Sequence, residues 1–352
     1  MNLDRNLQWE FFENINPDDS FFNGLKISYK EFSDWFYRKA KDKALIIEDE
    51  FERIQGFMYL KEENEAINDV TPPMPLDRYL KIGTFKINAH GTKLGERFIK
   101  KAFDFSIARG IKKLYVTIFP EHETLINLFV RYGFKKAAEK RTPNGVEYVM
   151  LKEVGKIVGN VLTDYPIILS RNSQFLLGIY PEFHTRLFPD SILYNENTSI
   201  VDDVSHTNSI EKIYICKMQG VQFLKKGDAL VIYRTGDGKG SAEYRSVATS
   251  LCMVDEVNVR NDFRTLSEFI SYCLPHSVFT EKELTDYFTT WKQMYVIRMT
   301  YNIALTTRII RKRLIEEVGL SRSDYWGFME LTSYQLKKIA SLGGIDDSLI
   351  LN

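Results

Sequence analysis

The chain has 352 residues, longer than one ordinary domain, so two domains are the natural expectation. A 44% hydrophobic share suits a globular protein with two cores. Lys plus Arg equals Asp plus Glu at 47 each, which excludes the bulk positive charge of a strong nonspecific nucleic-acid binder and leaves room only for a local basic patch.

The opening stretch reads as a polar start, Met1 to Asn6, with no apolar signal core, followed by a helix or loop rich in Phe and Trp. Ser28, with Glu31 three residues on, has the pattern of a capping box and predicts a helix from Tyr29 through Phe32, Trp35 and Phe36 to Lys41. Ala44 to Glu48 and Gln55 to Lys61 follow as antiparallel strands around a polar turn. Glu62 to Arg78 contains Thr71-Pro72-Pro73-Met74-Pro75, where the prolines forbid regular structure, so it is expected to be a long loop.

A strand is then predicted over Leu80 to Asn88, a glycine-containing turn over Ala89 to Glu96, and an amphipathic helix with Leu94, Phe98, Ala102 and Phe105 on one face, stopped by Gly110. A second strand covers Leu114 to Phe119. A second helix carries Leu125, Leu128, Phe129 and Tyr132 and closes at Gly133-Phe134. Lys135 to Lys140 and Glu147 to Lys152 form a hairpin across Pro143-Asn144-Gly145. Mixed strands flanked by helices place this half in the α/β or α+β class. Residues 1–153 are read as the first domain, 154–160 as a linker and 161–352 as the second domain.

The second half changes character. Strands are expected at Tyr165 to Ser170, Glu211 to Ile215, Ala229 to Tyr233 and Ser246 to Val254, separated by Gly-Asp turns, which suggests a small β-barrel with helices. One helix is predicted from Thr306 or Thr307 to Val318. Another runs from the capping box Thr332-Ser333-Tyr334-Gln335 to Gly343-Gly344. Cys216, Cys252 and Cys273 are odd in number and far apart, so neither a disulfide framework nor a zinc site is expected, and buried thiols in a reducing cytoplasm are. No stretch is long and apolar enough to predict a membrane span.

The turn His90-Gly91-Thr92-Lys93-Leu94-Gly95-Glu96 carries the clearest chemistry. A turn that opens a helix offers unpaired backbone N–H groups and the positive end of the helix dipole, which suits a pyrophosphate. Lys93 adds a charge-assisted donor.

The order of strand, turn, helix, strand and helix closing in Gly-Phe, over about 55 residues, resembles the acetyl-coenzyme A core of the GCN5-related N-acetyltransferase (GNAT) family. In that family the loop follows Gln/Arg-x-x-Gly-x-Gly/Ala. Here His90 takes the first position, Lys93 replaces the first glycine and Gly95 matches the second. The resemblance implies acetyl-CoA as co-substrate, with pantetheine pairing along Phe85, Lys86 and Ile87 as a pseudo-strand. It implies transfer to a primary amine and needs no metal. Many members supply a proton from a Tyr in the second helix, where this chain has Phe129, and carry an Asn where it has His122. Tyr132 and Tyr115 are then the nearest hydroxyl candidates, with core packing as the alternative for each. Glu121 and His122 are candidates for a base acting through water, with a plain helix cap as the alternative, or water itself protonates the thiolate.

Phe223 to Tyr233, Tyr244 to Val257 and Pro181 to Phe188 resemble PUA-like domains, including the ASCH group, although the Gly-x-Lys-x-x-Glu-x-Arg signature is absent. That resemblance implies, by analogy, contact with RNA or modified nucleotides. Candidate RNA-binding residues are Arg234 and Arg245 around a glycine-rich turn, Arg308, Arg311 and Lys312 on one helix, and Trp326 as a stacking ring. The alternatives are a solvated helix face and core packing. The combined expectation is an acetyl-CoA-dependent N-acetyltransferase whose second domain reads RNA or an RNA-linked acceptor, with a toxin-type role among those the family core supports. Two alternatives stand beside it. One is a non-enzymatic CoA-sensing or RNA-binding module. The other is a small-molecule amine acetyltransferase whose second domain supports a homodimer.

Overall fold

The computed structural model describes residues 7–88, 90–194, 196 and 201–351, so the polar start at residues 1–6, Ala89 of the turn and Asn352 lie outside the described residues. The fold is mixed α/β, and the chain divides into two units, Met1–Lys156 and Ile157–Asn352.

Aromatic residues organise the start of the first unit. β1 (Gln8–Phe11) pairs antiparallel with β2 (Lys43–Glu48), a short strand where the sequence suggested helix or loop. Between them stand α1 (Asn23–Ser28) and α2 (Phe32–Arg38). The helix expected from Tyr29 to Lys41 is shortened to α2, and α1 is a separate turn of helix before it. Ser28 ends α1 instead of capping a helix, and Tyr29 is extended at φ −129° with its N–H closing α1 on the Leu25 carbonyl. Phe12, Phe22, Phe36 and Phe57 pack mostly edge to face, and each fully buried ring contributes roughly 1.5–3 kcal/mol.

β3 (Ile54–Glu63), β4 (Tyr79–Ile87), α3 (Leu94–Ala108), β5 (Lys113–Ile118), α4 (Glu123–Arg131), β6 (Lys135–Thr142) and β7 (Gly145–Glu153) complete the unit. The seven strands lie in the order β1-β2-β3-β4-β5-β7-β6, and only β4 and β5 run parallel. The β6–β7 hairpin turns within the predicted Pro143-Asn144-Gly145 stretch, with Pro143 and Asn144 as its loop and Gly145 opening β7. α3 buries Leu94, Phe98, Ile99, Ala102 and Phe103, whereas Phe105 is only half-buried beside Trp9.

The second unit contains β8 (Ile168–Leu169), β9 (Gln174–Ile179), α5 (Pro181–Leu187), α6 (Ser205–Asn208), β10 (Glu211–Cys216), β11 (Ala229–Arg234), α7 (Ala242–Arg245), β12 (Val247–Val259), α8 (Leu266–Cys273), α9 (Glu281–Thr290), β13 (Tyr295–Ile310), α10 (Arg311–Glu316), β14 (Phe328–Leu331), α11 (Ser333–Leu342) and β15 (Ile350–Leu351). Six strands form a mixed sheet in the order β10-β13-β12-β11-β9-β14, and β8 pairs with β15. Where the sequence suggested a small barrel, no pairing joins the outer strands β10 and β14 among the described residues. The helix expected from Thr306 or Thr307 to Val318 begins only at Arg311, because the β-branched run Thr306, Thr307, Ile309 and Ile310 extends β13 and leaves a short α10. The three cysteines are free and buried, and burial pushes the Cys216 thiol up to about 12.

Candidate functional site

β4 and β5 pair only from Tyr79↔Lys113 to Ile82↔Val116, and beyond that point the two strands part. β4 stays paired with β3 through Gly56↔Ile87, and β5 stays paired with β7 through Ile118↔Tyr148. The second half of β4 is thus left without a partner on its β5 side among the described residues. A bulge accompanies the parting. Tyr59 opposes Thr84 and Leu60 opposes Ile82, so Gly83 is the extra residue. The bulge turns Phe85 toward α3 and α4, where its ring meets Phe98 at 6.1 Å and Phe129 at 5.5 Å. Lys86 turns the other way. It donates to the Phe21 carbonyl and lies 5.0 Å from the Phe21 ring.

The parting opens a cleft of about 1420 Å³ within the first unit. Phe85, Lys86 and Ile87 line it, as do His90, Gly91, Thr92, Lys93, Leu94 and Gly95 of the turn. The His90 Nδ1 lies 2.8 Å from the Asn88 carbonyl and its Nε2 lies 3.0 Å from the Thr92 hydroxyl, which braces the turn. Lys93 precedes α3 at φ 57°, a left-handed position where the family pattern has glycine. At Gly95 a Cβ would lie 2.8 Å from Leu128 Cδ2, so a larger residue there would push the Leu128 side chain aside.

Glu96 departs from its expected place. It is 4% exposed and does not line the cleft. Its carboxylate accepts from the Tyr132 hydroxyl at 3.0 Å and lies 3.8 Å from both Lys93 Nζ and Arg131 NH1. Lys93 and Arg131 both line the cleft, so they form a cationic pair held from behind by one buried carboxylate. With the first-turn N–H groups of α3, the residues present fit a pyrophosphate. The open edge of β4 fits an extended amide-bearing arm.

Opposite α3, the segment between α1 and α2 meets the β6–β7 turn. The Tyr29 hydroxyl donates to Glu147 Oε1 at 2.6 Å, and Asn144 Nδ2 donates to Glu31 at 3.0 Å. Burial and the Glu147 carboxylate push the Tyr29 hydroxyl well above the usual range. Lys81, near the end of the paired part of β4, also lines the cleft. Sequence reasoning singled out none of Tyr29, Glu147, Lys81 or Arg131. Glu121 and His122, expected after β5, do line the cleft and are exposed.

Tyr115 and Tyr132, the nearest hydroxyl candidates, take the core-packing alternative instead. Tyr115 is 1% exposed, and its hydroxyl is spent on Glu63 Oε2 beneath the sheet. Tyr132 is fully buried, and its hydroxyl is spent on Glu96. Neither lines the cleft. Phe129 is also fully buried, against Phe85 and Phe134, so core packing occupies the place where the family carries its acid.

In the second unit several of the expected RNA-binding residues are buried or already engaged by other side chains. Arg234 is 7% exposed and donates to Glu196 Oε1 at 3.0 Å. Trp326 is also 7% exposed, packed between the Tyr233 ring at 5.1 Å and the Arg311 guanidinium at 4.3 Å. Arg308 is on β13, not on the helix with Arg311 and Lys312, and donates to the Asp190 carbonyl at 2.7 Å. Arg245 is paired with Asp237, and Lys312 lies 5.6 Å from the exposed Tyr244 ring. Among the described residues no His, Cys, Asp and Glu group is suited to a metal ion, and no helix is long and apolar enough to cross a membrane.

No protein-family model matches the sequence, and no curated protein matches it. Among solved structures, the chain is similar to ASCH from Zymomonas mobilis, at 11% identity over 48% of this chain and 94% of that one, with a TM-score of 0.34. It is also similar to a GNAT-family acetyltransferase from Listeria monocytogenes, at 16% identity over 42% and 95% of the two chains, with a TM-score of 0.27. A third neighbour is Arabidopsis thaliana NAA60 in complex with a bisubstrate analogue, at 14% identity over 42% and 99%, with a TM-score of 0.31. The neighbours thus fall among both ASCH and GNAT structures, and the likeness is one of backbone arrangement.

Proposed function

We propose that the first unit is an acetyl-CoA-dependent N-acyltransferase that acts on a primary amine. The observation that carries the reading is the parting of β4 and β5 after Ile82 and Val116, with the His90–Gly95 turn lining the cleft that results. One arm of that cleft offers N–H groups, Lys93 and Arg131 to a pyrophosphate, and the open edge of β4 offers backbone partners to pantetheine. The other arm, walled by Tyr29, Glu31, Asn144 and Glu147, is left for the acceptor. Holding both reactants in one cleft turns a bimolecular encounter into a positioned reaction. RNA recognition by the second unit, an RNA-linked acceptor and a toxin role rest on the resemblance alone.

The test is release of free thiol from acetyl-CoA by the full chain, with and without primary amines such as spermidine, lysine and glycinamide. Amine-dependent release, with acetylated amine found by mass spectrometry, supports the reading. Binding of acetyl-CoA without transfer to any amine would favour a sensing module instead.

A further inference from the structure

We propose that Lys81 is the proton carrier of acyl transfer in the cleft of the first unit, an assignment that rests on the acyltransferase reading above. Lys81 sits opposite Tyr115, one residue before the last β4–β5 pair, where the strands begin to part. The Gly83 bulge sets it on the same face of β4 as Lys86, away from the Phe85 face that packs on α3 and α4.

The other cations lining the cleft are engaged. Lys86 donates to the Phe21 carbonyl, Lys140 pairs with Asp69 at 2.6 Å, and Lys93 and Arg131 flank Glu96. Lys81 makes no hydrogen bond or ion pair with any described residue, and its recorded contact is the Tyr115 ring at 5.5 Å from Nζ. The charged groups that face it are Glu63 and Lys61 of β3, Lys140 of β6, and Asp69 of the loop before β4. Glu63 is already shared by Lys61 and the Tyr115 hydroxyl, and Asp69 is held by Lys140. Burial, first, and the two neighbouring lysines hold the Lys81 ammonium below the ordinary lysine range, against the pull of Glu63 and Asp69. An amine whose charged form is disfavoured in this way gives up its proton more readily, and once neutral it can both accept and return one.

The step balances without another reactant. The acceptor nitrogen bonds to the thioester carbonyl carbon and yields its proton to the neutral Lys81 Nζ. As the carbon–sulfur bond breaks, Nζ passes that proton to the leaving sulfur. The products are an amide and a thiol, and Lys81 is neutral again. Among the other polar groups near the cleft, the Tyr29 hydroxyl and Glu147 are bound to each other, and Tyr115 and Tyr132 are spent on Glu63 and Glu96.

Two readouts on the full chain test this. The first is labelling with acetic anhydride across pH, with and without coenzyme A, read at Lys81 by peptide mass spectrometry. Lys81 is expected to label with a half-point below the ordinary lysine value and to be protected by coenzyme A. An ordinary half-point, or labelling indifferent to coenzyme A, overturns the assignment. The second is transfer from acetyl-CoA to spermidine, lysine and glycinamide by Lys81→Met and Lys81→Arg. Both variants are expected to lose about a hundredfold in kcat, with KM for acetyl-CoA unchanged. Arg does not rescue, because it keeps the charge but cannot take a proton. Unchanged kcat in Lys81→Met, or rescue by Arg, sinks Lys81 alone. A stable acetyl group on Lys81 after incubation with acetyl-CoA makes it an acceptor and also overturns the assignment. A wild-type chain that transfers to no amine removes the acyltransferase reading and the carrier role with it.

Discussion

At Gly178 a Cβ would fall 2.7 Å from the Trp326 carbonyl oxygen and 3.0 Å from the Gly327 Cα, backbone atoms held against β9 by its pairing with β14. Gly178→Ala is therefore expected to cost about 1–3 kcal/mol in denaturant unfolding, because no side chain can swing aside. His184 is a second point where one residue fixes a bulk property. It is fully buried, with Nε2 2.8 Å from the Thr249 hydroxyl, and burial, then Arg234 and Arg308, hold its pKa down to about 3. The unfolded chain takes up this proton below its ordinary value of 6.5, whereas the folded chain resists until about 3. Stability from this group is thus complete above 6.5 and falls as pH drops through that window, by up to about 1.4 kcal/mol per pH unit. Unfolding free energies measured across the window should show that slope, and His184→Gln should flatten it. An unchanged slope would contradict this. At the same scale, the turn residues His90 to Gly95 were legible, because a helix-opening turn is a local pattern. Tyr29 and Glu147 were not, since their bond joins positions 118 residues apart. Tyr115 and Tyr132 take the core-packing alternative, but the carboxylates that claim their hydroxyls left no sign in the sequence.

Elements were legible where two signals agreed. The Asn144-Gly145 hairpin combines turn chemistry with strand alternation. α11 combines a capping box with a glycine stop, and the Thr332 hydroxyl does accept from the Gln335 N–H while the Gln335 side chain returns to the Thr332 N–H. α9 carries the same box at Thr280 and Glu283. Thr332→Ala and Thr280→Ala are each expected to lower stability by about 1 kcal/mol in denaturant melts, with the sheets unaltered. Elements were misread where signals conflicted. At Ser28 the capping-box pattern was outweighed by the end of α1. At Thr306 to Ile310 a helix was expected, and β-branched residues paired across from β12 made a strand. That shift puts Arg308 on β13 while Arg311 and Lys312 open α10.

For the molecule as a whole, the class of each half followed from the order of its elements, and the mixed seven-stranded sheet of the first unit follows that order. The cleft was legible only in part. Its phosphate arm lies within one continuous stretch of chain, whereas its acceptor arm is assembled from α1–α2, β4 and the β6–β7 turn. The central claim is that this cleft holds acetyl-CoA, and calorimetric titration of acetyl-CoA into the full chain tests it most directly, with a folded Lys93→Ala, Arg131→Ala double variant alongside. Saturable binding with a dissociation constant of about 1 μM is expected. Loss of two charge-assisted contacts should weaken it by about a hundredfold or more in the variant. No saturable binding to the wild-type chain, or equal affinity in the variant, would contradict it.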